Sequence, residues 1–129
     1  MFDQNTRQLM MIRPIAFSKN KETSINNYFQ VDTELKAEEV QKRVTREFDD
    51  LVQKLREVSI DVRVFEDTQD PVTPDSIFPN NWVSFHQNGS VILYPMFANN
   101  RRLERRLDLI DKLSDHFEVK KIFKNLLSF

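Results

Sequence analysis

Apolar residues recur along Glu38–Val58 at spacings of four and three: Val40, Val44, Phe48, Leu51, Leu55 and Val58. That rhythm puts them on one stripe of an α-helix, so the segment is predicted to be an amphipathic helix. Its other face carries Glu39, Lys42, Arg43, Arg46, Glu47, Asp50, Lys54 and Arg56 and reads as solvated. Ile60–Phe65 (IDVRVF) alternates apolar and polar, the period of a half-buried strand. Ahead of the helix, Gln8–Arg13 (QLMMIR) is a short apolar run closed by Pro14 and reads as a buried strand. Asn20–Asp32 (NKETSINNYFQVD) is polar apart from Tyr28 and Phe29 and has no period. It is expected to be a structured loop, and loops of that length in small domains are often functional.

Glu66–Pro74 (EDTQDPVTP), acidic and proline-bearing, is the best internal boundary. Beyond it, WVSFHQNGSVILYP holds Asn88-Gly89 between two β-prone runs, the signature of a two-residue hairpin turn. Pairing outward from that turn sets Phe85 opposite Ile92, Ser84 opposite Leu93 and Val83 opposite Tyr94. Trp82, Ser84 and His86 then share one face, and a slip of one residue would exchange the faces. Arg101–Ser114 is predicted to be a second helix with a stripe of Leu103, Leu107, Ile110 and Leu113, capped by Asn99 or Asn100. Phe117–Phe123 (FEVKKIF) reads as a last strand, and the tail KNLLSF has no clear pattern. The order is strand, loop, helix, strand, then hairpin, helix, strand. The two stretches, residues 1–66 and 74–123, are therefore taken as two copies of one ββαβ-like unit, the first with its second strand hidden in the Asn20–Asp32 loop.

Composition narrows the classes. The chain has 129 residues, enough for one small domain, with 40% apolar and 30% charged residues. A net charge of −1 gives no global field for nucleic acid or anionic lipid. No apolar run approaches a membrane span, and MFDQNTRQLM lacks the pattern of a secretion signal, so a cytoplasmic protein is expected. Cysteine is absent, which removes disulfides, cysteine-ligated zinc and a thiol nucleophile. No His, Asp or Glu pair has metal-ligand spacing with a second matching pair, so no metal and no cofactor are expected. Gly89 is the single glycine, so glycine-rich phosphate loops are excluded, and other turns with positive φ must rely on Asn or Asp.

Three segments, MIRPIAFSKNKETSINNYFQ, PDSIFPNNWVSFHQNGSVILYPM and NNRRLERR, together resemble the guanidino-group-modifying superfamily, the penteins or amidinotransferases. Within it they look most like the arginine-deiminase-related branch that includes citrulline hydrolases. The likeness spans nearly the whole chain. It implies an α/β (α+β) fold: about two ββαβ blades of a five-bladed α/β propeller, truncated. It also implies cytoplasmic hydrolase chemistry on non-peptide C–N bonds in arginine metabolism, in which a cysteine attacks the guanidino or ureido carbon and a histidine serves as acid and base. The family takes that histidine and cysteine from later blades. This chain is accordingly expected to be the N-terminal substrate-shell part of such an enzyme, inactive alone.

PDSIFPNNW carries the candidate site. In dimethylarginine dimethylaminohydrolases the similar position reads Phe-x-Glu-Asp and grips a cation. The residues here are Phe78, Asn80 and Asn81. An amide offers both a donor and an acceptor, which suits a neutral ureido group such as that of citrulline. The other reading of Asn80-Asn81 is a turn after Pro79. Phe78 either packs on the substrate head or belongs to the core. Asp75 either caps a local turn or orients the amides. Asn27 and Gln30 face the ligand by likeness to a family lid loop, or are plain surface. His86 and His116 read as structural residues rather than catalysts. Arg101, Arg102, Arg105 and Arg106 read as a solvated helix face in preference to a carboxylate clamp or RNA contact, because Glu104 and Asp108 interrupt them. Expected partners are a small-molecule substrate, a citrulline or arginine derivative, once the propeller is completed. A missing-half partner or a homo-oligomer is also expected, with no nucleic acid and no membrane. The competing reading is a non-catalytic oligomerising or interaction module built on the same fold.

Overall fold

A computed structural model describes residues 5–23 and 36–124. Strand β1 (Gln8–Arg13) leads to helix α1 (Ala37–Glu57), which returns the chain to β2 (Asp61–Glu66). The two strands pair in parallel from Gln8↔Asp61 to Arg13↔Glu66. A one-turn 3-10 helix (Pro79–Asn81) opens the second half. Then come β3 (Val83–Phe85), β4 (Ser90–Leu93), two short helices α2 (Asn99–Arg102) and α3 (Leu107–Leu113), and β5 (Lys121–Lys124). β3 and β4 are antiparallel, and β4 and β5 are parallel, in the order β3-β4-β5. The result is a mixed α+β structure with two small sheets. Among the described residues no helix is long and apolar enough to cross a membrane.

Helix α1 forms where its period predicts. Glu38 and Glu39 lie in its first turn and Lys54 and Arg56 in its last, both matched to the helix dipole. The buried stripe differs from expectation: Phe48 and Val52 are buried, whereas Leu51 and Val58 are exposed. From Phe48 a step of four reaches Val52 and a step of three more reaches Leu55, which packs on the same cluster with Val62, Met11 and Val64. Val58 is the cap residue, and past it the chain turns at Ser59 with φ 64°. Ile60 N donates to Leu55 O and Ser59 N to Arg56 O, a Schellman closure made without glycine. Neither the Asn nor the Asp expected at a positive φ is used there.

The hairpin register is one residue away from the sequence expectation. Val83 faces Leu93, Ser84 faces Ile92 and Phe85 faces Val91. The loop has three residues, Gln87–Asn88–Gly89, closed by Gly89 N donating to His86 O and His86 N donating to Ser90 O. A turn followed by one left-handed residue gives this three-residue loop, and Gly89 with φ 82° is that residue. The slip sends Val83, Val91 and Leu93 into the core with Trp82, Met96 and Ile110. Ser84 and His86 go to the other face, where Ser84 Oγ lies 3.0 Å from His86 Nε2 and 2.9 Å from Tyr94 OH.

The second predicted helix is broken in two. Leu103 and Leu107 are exposed, and Leu109, Ile110 and Leu113 are buried. The break between α2 and α3 turns Glu104 inward onto Arg101, and Arg106 reaches back to Glu66 O. α2 follows Ala98 with no side-chain cap, so neither Asn99 nor Asn100 caps it. The last strand starts later than expected, at Lys121.

Candidate functional site

Three segments distant in sequence meet beside the 3-10 turn. Asn20, almost fully buried, pairs its amide with that of Asn100: Asn100 Nδ2 donates to Asn20 Oδ1 at 2.8 Å and Asn20 Nδ2 to Asn100 Oδ1 at 3.2 Å. Asn20 Nδ2 also donates to Asp75 Oδ2 at 2.6 Å. The same Asp75 oxygen lies 3.7 Å from Arg101 Nε. Arg101 grips the buried Glu104 with Nε and Nη2, at 3.1 and 3.0 Å, and Nη2 donates to Asn81 Oδ1 at 3.0 Å. Glu22 closes the ring, its Oε2 accepting from Asn100 N and its own N–H donating to Asn20 Oδ1.

This arrangement is expensive to build and therefore informative. Two buried carboxylates flank one guanidinium, and each must keep its partners to remain buried. Burial pushes the Glu104 carboxyl above its ordinary value. The hydrogen bonds and charge of Arg101 pull it back, and the charges of Asp75 and Asp67 add to the rise. Asp67 is itself buried and satisfied by the hydroxyls of Thr73 and Ser76, at 2.8 and 2.6 Å.

Beside the network lies a cleft of about 380 Å³ lined by Glu22, Thr23, Asn81, Pro95, Met96, Phe97, Ala98 and Arg101. Its lining combines the polar side chains of Glu22, Thr23, Asn81 and Arg101 with the run Pro95–Ala98, held by Arg102, whose Nε and Nη2 donate to Met96 O and Phe97 O. A lining both polar and apolar fits a small ligand with a polar head and an aliphatic stem. A larger open groove of about 670 Å³ runs along α1, lined by Phe48, Asp49, Val52, Gln53, Arg56, Glu57 and Val64. Its polar groups bond to neighbours: Asp49 to Arg13, Gln53 and Glu57 to each other, and Arg56 to Val62 O. Size alone does not make it the site.

The expected site residues divide. Asn81 lines the cleft, and Asp75 stands behind it through Arg101. Asn80 and Phe78 are exposed and outside the cleft lining, so Phe78 is not a core residue. The Asn-Asn pair does form a turn, and it is made by backbone bonds from Asn81 N to Phe78 O and Trp82 N to Pro79 O. Asn27 and Gln30 lie outside the described residues. His86 and His116 are exposed. Sequence reasoning missed Arg101 as a half-buried hub and Asn20, Asn100 and Glu104 as its supports. The signal available was Arg101 followed by Glu104 at helical ion-pair spacing. Among the described residues no group of three or more His, Asp or Glu side chains is placed to hold a metal ion.

A family model described as N,N dimethylarginine dimethylhydrolase, eukaryotic, matches residues 13–129. The chain belongs to this family. No curated protein and no solved structure matches it. The dimethylarginine dimethylhydrolase match takes in every residue of the cleft and of the network behind it, from Asn20 to Glu104.

Proposed function

We propose that this chain supplies the substrate-recognition part of a hydrolase acting on non-peptide C–N bonds of arginine or citrulline derivatives. The observation that carries the reading is the pairing of Asn81 with Arg101 in the lining of a small cleft that also includes Pro95, Met96, Phe97 and Ala98. Membership of the dimethylarginine dimethylhydrolase family supports the substrate class. Arg101 and Asn81 supply donors for carboxylate or carbonyl oxygens, Glu22 supplies an acceptor, and Met96 and Phe97 cover an aliphatic stem. With no cysteine among the 129 residues, a thiol nucleophile is not theirs to provide. Binding without turnover is the activity expected of this chain. The same reading takes residues 1–66 and 74–123 as two ββαβ-type units of an α/β propeller. Supporting it is the order β3, β4, helix, β5, with an antiparallel pair followed by a parallel one.

Calorimetry with L-citrulline, L-arginine and dimethylarginine tests the proposal. At least one should bind, and Asn81→Ala should weaken it about tenfold, the loss of one well-placed bond. If none binds, or if the Asn81→Ala chain binds as well as the native one, the reading is wrong.

A second reading, an oligomerising module, has one observation behind it. β5 is exposed along its length, with Ile122 and Phe123 about two-fifths accessible, and among the described residues its outer edge is unpaired. An open apolar edge is a template for another strand. Sedimentation giving a monomer at high concentration would remove that reading.

A further inference from the structure

The sheet β3-β4-β5 ends on a strand that is open on its outer side. Every residue of β5 is exposed, and among the described residues no strand lies beyond it. Its pairing with β4 carries two rows of side chains to that edge. Phe85, Val91 and Ile122 lie in register on one face, and Ser84, Ile92 and Phe123 on the other. Val91 is fully buried, whereas Ile122 and Phe123 are 40% and 43% exposed. Both rows therefore end on an open apolar residue. Lys121 and Lys124 bracket that apolar pair, and Lys121 Nζ lies 4.6 Å from the centre of the Phe123 ring. The neighbouring acid, Glu118, faces Lys120 at 3.5 Å.

We propose that the outer edge of β5 docks an acidic extended segment of a partner protein, which adds as a fourth strand with an acid–apolar–apolar–acid sequence. An edge strand offers main-chain N–H and C=O groups that a further strand takes up, while its side chains select which strand. In antiparallel register the partner's acids fall opposite Lys124 and Lys121, and its apolar residues opposite Phe123 and Ile122. A second copy of this chain fits badly. Centred on Ile122 and Phe123, two copies of β5 would set Lys121 of one against Lys124 of the other at both ends. Like charges directly opposite are destabilising. The lysines thus keep the edge from pairing with itself and admit an acidic strand. RNA is acidic too, but it binds through stacking surfaces and not main-chain ladders, and the Phe123 ring already lies under Lys121. The inference concerns the same edge as the oligomerising reading, names a different occupant, and is independent of the cleft.

The test is chemical-shift titration of the full chain with two end-blocked peptides, Thr-Glu-Val-Val-Glu-Thr and Thr-Lys-Val-Val-Lys-Thr. The acidic peptide should bind about tenfold more tightly, the combined worth of two opposite-charge pairs over two like-charge ones. Its shifts should centre on the amides of Lys121–Lys124, and the preference should shrink at high salt. Lys121→Glu combined with Lys124→Glu, both on exposed positions, should reverse the order of the peptides. Should that double variant fail to fold, Lys124→Glu alone should abolish the preference. Failure of the acidic peptide to bind, equal binding of the two, or an order unmoved in the folded variants overturns the inference. So does a uridine oligonucleotide that shifts the same amides at lower concentration than the acidic peptide. Sedimentation separates the oligomerising reading. A monomer that binds the acidic peptide supports the inference and removes that reading, whereas a dimer that protects the β5 amides from exchange overturns the inference.

Discussion

Arg13, in the β1–α1–β2 region, and Arg101, in the region from the 3-10 turn to β5, each hold a carboxylate with two nitrogens. Arg13 meets Asp49 at 2.8 Å through both Nε and Nη2, and Arg101 meets Glu104 at 3.1 and 3.0 Å. Their surroundings separate them. The Arg13 and Asp49 side chains are 29% and 50% exposed, whereas those of Arg101 and Glu104 are 15% and 1% exposed. In the first pair the hydrogen bond from Arg13 dominates and holds Asp49 below the usual carboxylate range. In the second, burial dominates and Glu104 rises above it. Similar contacts thus do different work: the exposed pair decorates a surface, and the buried one fixes a cleft wall. The lesson is that a hydrogen-bond length says little about a charged pair until its exposure is known.

Removing the arginines should break the comparison most visibly. Arg101→Met leaves Glu104 and Asp75 buried without a cation and should cost about 3–5 kcal/mol in urea unfolding. Arg13→Met should cost about 0–1 kcal/mol, the usual worth of an exposed pair. Equal costs would contradict the contrast. The two positive-φ residues among those described extend it. A Cβ at Gly89 would lie 2.8 Å from Glu118 O and 2.9 Å from Lys120 Cγ, so Gly89→Ala should lose about 1–3 kcal/mol. Ser59, exposed at the end of α1, already bears the left-handed strain. Ser59→Gly should gain about 0.5–1 kcal/mol in melting experiments.

The smallest effect is the sign of the pH dependence. Glu104 binds its proton more tightly folded than unfolded. Its contribution is complete below the ordinary value of 4.5 and fades as pH rises through the raised folded value. Asp49 does the reverse: its contribution is present above the ordinary value of 3.8 and fades as pH falls through the lowered folded value. Unfolding free energies of Glu104→Gln and Asp49→Asn against pH should show slopes altered on opposite sides of that range. Slopes altered in the same direction would contradict the account.

Much of the fold was legible because it is written in local periods. α1, β1 and β2 appear within a residue of the expected ends, since α1 and β2 each carry a repeat and β1 is an apolar run closed by Pro14. The hairpin was located from Asn88-Gly89, but its register was not. A two-residue and a three-residue loop share that dipeptide, and the choice follows from Gly89 packing on Glu118 and Lys120, a long-range contact. The continuous second helix failed for a related reason. Its i,i+4 leucines predict one face, whereas a buried ion pair at Glu104 interrupts it. Of the candidate site, Asn81 and Asp75 stood in a motif visible in the sequence. Arg101 was concealed in a run of arginines whose pattern is that of solvated charge, and Asn20 only acquires meaning through partners 55 and 80 residues away.

The most direct test of the account is to follow the Asn81 side-chain amide and the Arg101 Nε resonance while L-citrulline is added to the full chain. Saturable shifts at both, with smaller ones at Met96 and Phe97, are the predicted result. Unmoved resonances there, or shifts confined to Phe48 and Val64 in the groove along α1, would contradict it.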